Sequence, residues 1–272
     1  MRISNVWLLG ILCAGIVAVS GANALAIDSA VINERVFNDN PDSTLVTVNA
    51  YPTLVSISDT PTADPDPPNF ANRHNFHLAD AGVEHAFANN EPFTFSADLT
   101  ISGDGHGEAG LQVAPWWSPN VDGTFNFRTT DGEIAAFGGR LPFYSFTAQQ
   151  GLTYTKGTTV RAGVIYDPNS LSEADPATIQ YNLNIGGTYY TSGRLAFDEG
   201  NPGEGFGSWG HLDDARVGGH MQIFISGSGA GNNMTTTWGN MSFVPAAVPE
   251  PTTFALLGLA IVGLTGIRRR SK

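Results

Sequence analysis

The sequence predicts an all-β domain made of two antiparallel sheets packed face to face, and three observations carry that expectation. Short segments with period-two apolar alternation recur from Ala30 to Phe243. The first five of them end in turn chemistry, and Gly, Pro, Asn and Thr are plentiful throughout. Helix-favouring lysine is nearly missing, Lys156 being the only one between residues 27 and 248, and scarcely any apolar repeat has a helical period.

Fourteen candidate strands follow in order. The first group is 30–37, 45–48, 53–58, 75–78 and 93–101. The second is 110–114, 123–128, 134–137, 143–146, 160–166 and 178–185, after which Gly186-Gly187 is a hairpin signal into 188–195. The last two are 217–226 and 235–243. Phe93, Phe95, Ala97, Leu99 and Ile101 alternate with Thr94, Ser96, Asp98 and Thr100, the pattern of a half-buried strand. In 160–166 the second face carries Arg161, Gly163 and Ile165, too apolar for an edge, so this strand is expected at the centre of a sheet. Proline and acid between 59 and 69, and glycine between 198 and 210, predict long surface loops. The Gly-rich stretch 226–233 is expected to be a flexible hairpin loop.

Both ends of the chain differ from this domain. Arg2, the apolar run 6–19 and the small residues Ala22, Ala24 and Ala26 make residues 1–26 a secretory signal peptide, which implies signal peptidase as a partner. The single cysteine, Cys13, lies within it, so the mature chain has no thiol for a disulfide, a thiolate metal site or nucleophilic catalysis. The sandwich domain is expected at 27–245 and a sorting signal at 246–272. In the latter, Pro249-Glu250-Pro251 keeps the chain extended, 254–267 is an apolar transmembrane helix, and Arg268-Arg269-Arg270 heads a basic tail at 268–272 held on the cytoplasmic side. This ordered triple resembles the PEP-CTERM signal of Gram-negative bacteria. The resemblance implies recognition and processing by an exosortase, with transient inner-membrane anchoring before the protein reaches the cell surface or extracellular matrix.

Without residues 1–26 and 249–272 the chain keeps 24 acidic against eight basic side chains, a net charge near −16. Such a surface has no clustered cations to displace counterions from a phosphate backbone, which excludes nucleic acid as a partner. Neutral polysaccharide and divalent cations remain compatible with it.

The order of segments resembles the jelly-roll sandwich of the concanavalin A-like lectin and glucanase group. Residues 93–99, 107–111, 132–139 and 179–195 carry the likeness, through core and turn positions. The glycanases of that group place paired carboxylates on one strand in a Glu-x-Asp-x-x-Glu pattern, because retaining hydrolysis needs an acid and a nucleophile about 5 Å apart. No such spacing is present, and Glu108 and Glu133 each stand alone. There is no nucleophile elbow for a serine hydrolase. His74 and His77 fall on opposite faces of a strand, and no metal-binding histidine spacing accompanies them. The loop acids Asp64 with Asp66, Asp104 with Glu108, or Asp213 with Asp214 are candidate calcium ligands, although turn formation explains the same residues. Trp116 and Trp117, between Pro115 and Pro119, are the candidate carbohydrate contact; the competing reading packs one of them in the core with the other as its cover. The expectation is therefore a non-enzymatic envelope or matrix protein, associated with exopolysaccharide or biofilm, without catalytic residues or a bound cofactor. A lectin-like module and a divergent glycoside hydrolase are the alternatives.

Overall fold

The structure, a computed structural model, describes residues 26–62, 70–197, 209–211 and 213–245. Most of the signal peptide, the sorting residues Pro249, Glu250, Pro251, Arg268, Arg269 and Arg270, the apolar helix 254–267, and the loop acids Asp64 and Asp66 lie outside the described residues. Among those described, no helix is long and apolar enough to cross a membrane.

The elements run β1 (Ser29–Asn38), β2 (Thr44–Ala50), β3 (Leu54–Thr60), β4 (Ala71–Asp80), β5 (Val83–Glu84), β6 (Phe93–Ser102) and β7 (Gly107–Ala114). Then come β8 (Thr124–Arg128), β9 (Ile134–Phe137), β10 (Tyr144–Ser145), α1 (Phe146–Gln150), β11 (Thr159–Asp167) and β12 (Thr178–Ile185). The chain continues through β13 (Thr188–Thr191), β14 (Leu195–Ala196), β15 (Arg216–Phe224), α2 (Ile225–Ser228) and β16 (Met234–Pro245). Sheet A has the order β1-β4-β15-β7-β8-β9-β10, with β5 on β4; sheet B has β13-β12-β11-β6-β16-β3-β2, with β14 on β12. All pairings are antiparallel, and long connections carry the chain from one sheet to the other, as a jelly roll requires.

Each of the fourteen expected segments overlaps a strand, and β11 is central, between β6 and β12. The short β5 was not foreseen. Two expectations change. Asp59 and Thr60 belong to β3, with Asp59 fully buried, so the loop after them starts later. The 226–233 stretch is not simply a flexible loop: Ile225 to Ser228 form the single turn α2, anchored by Ser228 Oγ, which accepts from the His106 amide and donates to the His106 carbonyl.

The core lies between the sheets. Phe76, Leu78, Leu111, Phe125, Phe127, Val217 and Ile223 of sheet A face Phe93, Phe95, Leu99, Val164, Tyr166, Tyr181 and Leu183 of sheet B. Burying each such side chain contributes about 1.5–3 kcal/mol. Trp238 on β16 lies edge-on to Phe76 at 5.1 Å and donates its indole N–H to the Gly110 carbonyl at 3.1 Å, tying sheet B to the middle of sheet A.

The two sheets differ on their outer faces. β6 alternates strictly, one face buried and the other half-exposed, whereas β4 is buried at every position from Ala71 to Ala79. Something therefore covers the outer face of sheet A, and the side chains beneath that cover are polar.

Candidate functional site

Register determines which side chains share this covered face. Asn75 on β4 pairs with His220 on β15, His220 with Gly110 on β7, and Gly110 with Asn126 on β8. One row to either side, Arg73 pairs with Gln222 and Gln222 with Glu108, while His77 pairs with Gly218 and Gly218 with Gln112. Since side chains alternate across a strand, all of these project from one face. Gly110 and Gly218 leave gaps beside His220 and have no alternative there: a Cβ would sit 1.8 Å from the Phe125 carbonyl oxygen or 1.9 Å from that of Phe76.

The roof is the β7–β8 connection, residues 115–123. The Asn120 carbonyl accepts from Arg73 Nε (3.1 Å) and from Asn75 Nδ2 (2.6 Å), and the Asp122 carbonyl accepts from Gln112 Nε2 (2.9 Å). Trp116 and Trp117 stand on the outside of this connection, 41% and 40% exposed, with their rings perpendicular at 6.0 Å. Neither packs in the core, so the reading that buries one of them is corrected.

Hydrogen-bond accounting on this face does not close. Arg73 Nη2, Asn75 Oδ1, His77 Nε2, Gln112 Oε1 and His220 Nδ1 are buried without a hydrogen-bond partner among the described residues. An unpaired buried polar atom costs about 1–3 kcal/mol, so five on one ordered face mark a place built to meet something else.

A short relay fixes the state of His220. Glu108 Oε2 accepts from Asn126 Nδ2 at 2.7 Å, which turns the Asn126 carbonyl oxygen toward His220 Nε2 at 3.2 Å. Nε2 must then carry the proton, and Nδ1 presents a free lone pair. Burial, reinforced by the nearby Arg73 charge and opposed by the Leu111 backbone carbonyl, pushes the His220 pKa well below the ordinary histidine value, so the ring is neutral at neutral pH. Burial also draws Arg73 down to about 10, against the pull of Glu108 and Asp122; the guanidinium stays charged. At the rim, the His77 hydrogen bond holds Glu84 at about 2 in spite of its burial, with Asn33 and Arg216 adding to the effect.

The residues singled out from sequence distribute unevenly. His74 and His77 do face opposite ways: His74 lies between the sheets against Asp59, and His77 lies on the covered face. Glu108 supports the relay, whereas Glu133 pairs with Arg128 at 2.7 Å near the surface. Asp213 Oδ1 accepts from the Asn89 amide. No three His, Cys, Asp or Glu side chains among the described residues are grouped to hold a metal ion. Arg73, Asn75, Gln112 and Asn126 are absent from the sequence reading, and His220 has no role in it beyond membership of a histidine set without metal-binding spacing. Their signal was polar side chains at alternate positions of strands whose other positions are apolar, as in Gly218-Gly219-His220-Met221-Gln222.

Comparison with known proteins adds two findings. The PEP-CTERM protein-sorting motif matches residues 247–270, which implies export, exosortase processing and a membrane-anchored C-terminal signal in a Gram-negative bacterium. No curated protein matches the chain. Among solved structures, an alginate lyase from Klebsiella pneumoniae is similar over 71% of this chain and 82% of its own, with 9% identity and a TM-score of 0.42. The marine alginate lyase AlyA1 from Zobellia galactanivorans is similar over 74% and 84%, with 11% identity and a TM-score of 0.38. Arcelin-5, a lectin-like defence protein from Phaseolus vulgaris, is similar over 82% and 96%, with 10% identity and a TM-score of 0.38.

The expectation of a non-enzymatic protein is corrected: two of these three neighbours are alginate lyases. It rested on the absence of hydrolytic carboxylate pairs, nucleophiles and metal ligands, and elimination chemistry requires none of the three. At identities of 9–11% and TM-scores of 0.38–0.42 the likeness carries no argument about what this chain does. The chain is a jelly-roll β-sandwich carrying a C-terminal PEP-CTERM sorting motif.

Proposed function

We propose that this chain acts on an acidic, uronate-containing polysaccharide at the covered face of sheet A. The observation that carries the reading is the pairing, on one buried face, of a charged Arg73 having a free Nη2 with a neutral His220 having a free Nδ1. A carboxylate is the natural occupant of the Arg73 fork and the Asn75 amide, whose donors now meet the Asn120 carbonyl. Entry therefore requires the 115–123 connection to lift, and the substrate carboxylate takes over the same donors.

Neutralising that carboxylate acidifies the hydrogen on the adjacent sugar carbon. His220 Nδ1 accepts this proton, a carbon–carbon double bond forms, and the glycosidic carbon–oxygen bond breaks. The imidazolium then returns the proton to the departing oxygen, so one group acts as base and then as acid. The carboxylate also offsets the Arg73 charge that depresses His220, which raises its basicity when substrate is bound. Alginate lyase, the activity of two of the similar structures, is an elimination of this type. Trp116 and Trp117, on the outside of the connection, supply aromatic faces for sugar rings.

The signal peptide at 1–26, the domain at 27–245 and the sorting signal with Pro249-Glu250-Pro251 and Arg268-Arg269-Arg270 complete the reading. The protein is exported, anchored, processed by an exosortase and located at the cell surface or in the matrix. The test is incubation with polymannuronate, polyguluronate and polygalacturonate, followed by the ultraviolet absorbance of the unsaturated uronate. At least one substrate gives a rise, and His220→Ala slows it by about 10²–10⁴-fold. No unsaturated product from any of the three overturns the proposal.

A further inference from the structure

The outer face of sheet B holds a second feature, independent of the first. Gly163 lies in the middle of the central strand β11, between Ser96 on β6 and Asn182 on β12. Glycine in a strand interior weakens it by roughly 0.5–1 kcal/mol, and it usually marks a bulge or a close approach of backbone or ligand. Neither of the first two reasons operates here. The pairings on both sides are regular, and a Cβ would meet Ser96 Cβ at 3.3 Å, the Phe95 carbonyl at 3.6 Å and Asn182 Cβ at 3.8 Å, unlike the severe overlaps at Gly110 and Gly218. What the missing side chain does leave is a hollow of about 250 Å³ open to solvent.

Thr94, Ser96, Arg161, Asn182, Asn184 and Tyr189 line this hollow. We infer that the hollow over Gly163 is a binding site for a neutral sugar unit of a polysaccharide. Three properties select that class. The rim is an exposed tyrosine, Tyr189 at 60%, whose ring offers a flat apolar plate to the C–H face of a pyranose. The walls are hydroxyls and carboxamides, which both donate and accept and so match vicinal sugar hydroxyls. The single cation is already matched: Arg161 Nη1 donates to Asp98 Oδ1 at 3.0 Å and to the Asn240 carbonyl at 2.6 Å, and its Nη2 donates to Ser96 Oγ at 2.8 Å. No unpaired charge faces the hollow, so it has no preference for an anion. Its volume suits one ring rather than a drug-sized ligand, for which pockets start near 300 Å³. The protein thus offers polysaccharide two faces, acidic units at sheet A and neutral units at sheet B.

Gly163→Val tests this without removing any polar partner. The β-branched side chain occupies the floor of the hollow and favours the strand, while Ser96, 3.3 Å from the added Cβ, must give by a few tenths of an ångström, so the melting temperature is recorded beside each titration to show that the variant is folded. Cello-, manno- and galacto-oligosaccharides are titrated into the purified protein and followed by nuclear magnetic resonance. At least one of them binds the parent. Gly163→Val and Tyr189→Ala weaken that binding by about tenfold or more, and His220→Ala leaves it unchanged. Binding that survives Gly163→Val, or that is lost in His220→Ala, places neutral sugars elsewhere and overturns the inference, as does no binding by the parent. A uronate oligomer whose binding is removed by Gly163→Val and kept in His220→Ala overturns the neutral class. A sheet A site that fails leaves these results intact, because they are read without turnover.

Discussion

Strand β4 carries polar side chains on both faces, and the two sets have opposite fates. Toward the core, Asn72 accepts from the Asn40 amide at 2.9 Å and donates to the Asn40 carbonyl, Ser43 Oγ and Asp59 Oδ2. His74 accepts from the Arg35 amide through Nδ1 and meets Asp59 Oδ2 at 3.0 Å through Nε2. Every polar atom of these two side chains is used. One residue along, on the outer face, Arg73, Asn75 and His77 each keep an unpaired atom. The contrast separates a structural polar network from a site in one strand: on the core side the Asn72 and His74 side chains are fully partnered and only Asp59 Oδ1 is left over, whereas on the outer face each of the three side chains stays open at an atom that can meet a ligand.

The largest expected effect comes from breaking the closed set. Asp59→Ala leaves His74 and Asn72 buried without their shared acceptor and lowers stability by about 3–5 kcal/mol, read from urea unfolding. Should Asp59→Ala fail to fold, Asp59→Asn gives a measurable intermediate loss. A loss below about 1 kcal/mol breaks the comparison, since the core-side set would then not be structural.

Next comes pH. The His220 pKa in the folded chain lies well below the 6.5 of the unfolded chain, so the unfolded chain binds the proton first as pH falls. Stability from this group is complete above pH 6.5 and declines below it, by up to about 1.4 kcal/mol per pH unit. The urea midpoint of the wild type therefore drops between neutral pH and pH 5, and His220→Gln flattens that limb. The Asp59 pKa is below its ordinary 3.8, because hydrogen bonds from His74, Asn72 and Ser43 outweigh the burial that would raise it. Its contribution is present above pH 3.8 and is lost only as pH falls further, which separates the two faces on one titration.

Smaller still, Gln112→Leu removes a half-paired amide from the open face at similar volume. Stability rises by about 1 kcal/mol while uronate turnover falls, the trade expected of a site held at the expense of folding. A clear loss of stability shows instead that Gln112 is structural. The smallest effect belongs to Trp117→Ala, which changes stability by no more than about 0.5 kcal/mol and weakens uronate polysaccharide binding by about fivefold. Unchanged binding removes Trp117 from the contact surface.

The strands were legible in the sequence because burial on one side and water on the other impose a two-residue period, clear in Phe93 to Ile101. β4 was only partly legible: 75–78 alternate recognisably, but Asn72, Arg73 and His74 are polar at consecutive positions and read as loop, although the strand begins at Ala71. The candidate site was illegible for a related reason. His220, Asn126, Arg73 and Gln112 come from four strands separated by long stretches of chain, and no spacing along the sequence brings them together. The tryptophan pair was visible as a motif, yet its place on the connection that roofs the polar face was not.

Local and terminal features follow from the residues alone: strand positions, turn positions, the acidic balance of the domain, and the sorting motif at 247–270, whose parts are contiguous. Which polar side chains find partners between the sheets, and which stay open on the outer face, is settled by the packed fold. That outcome depends on strand order and register, because a shift of one residue would exchange the two faces of β4 and send His74 outward and Arg73 into the core.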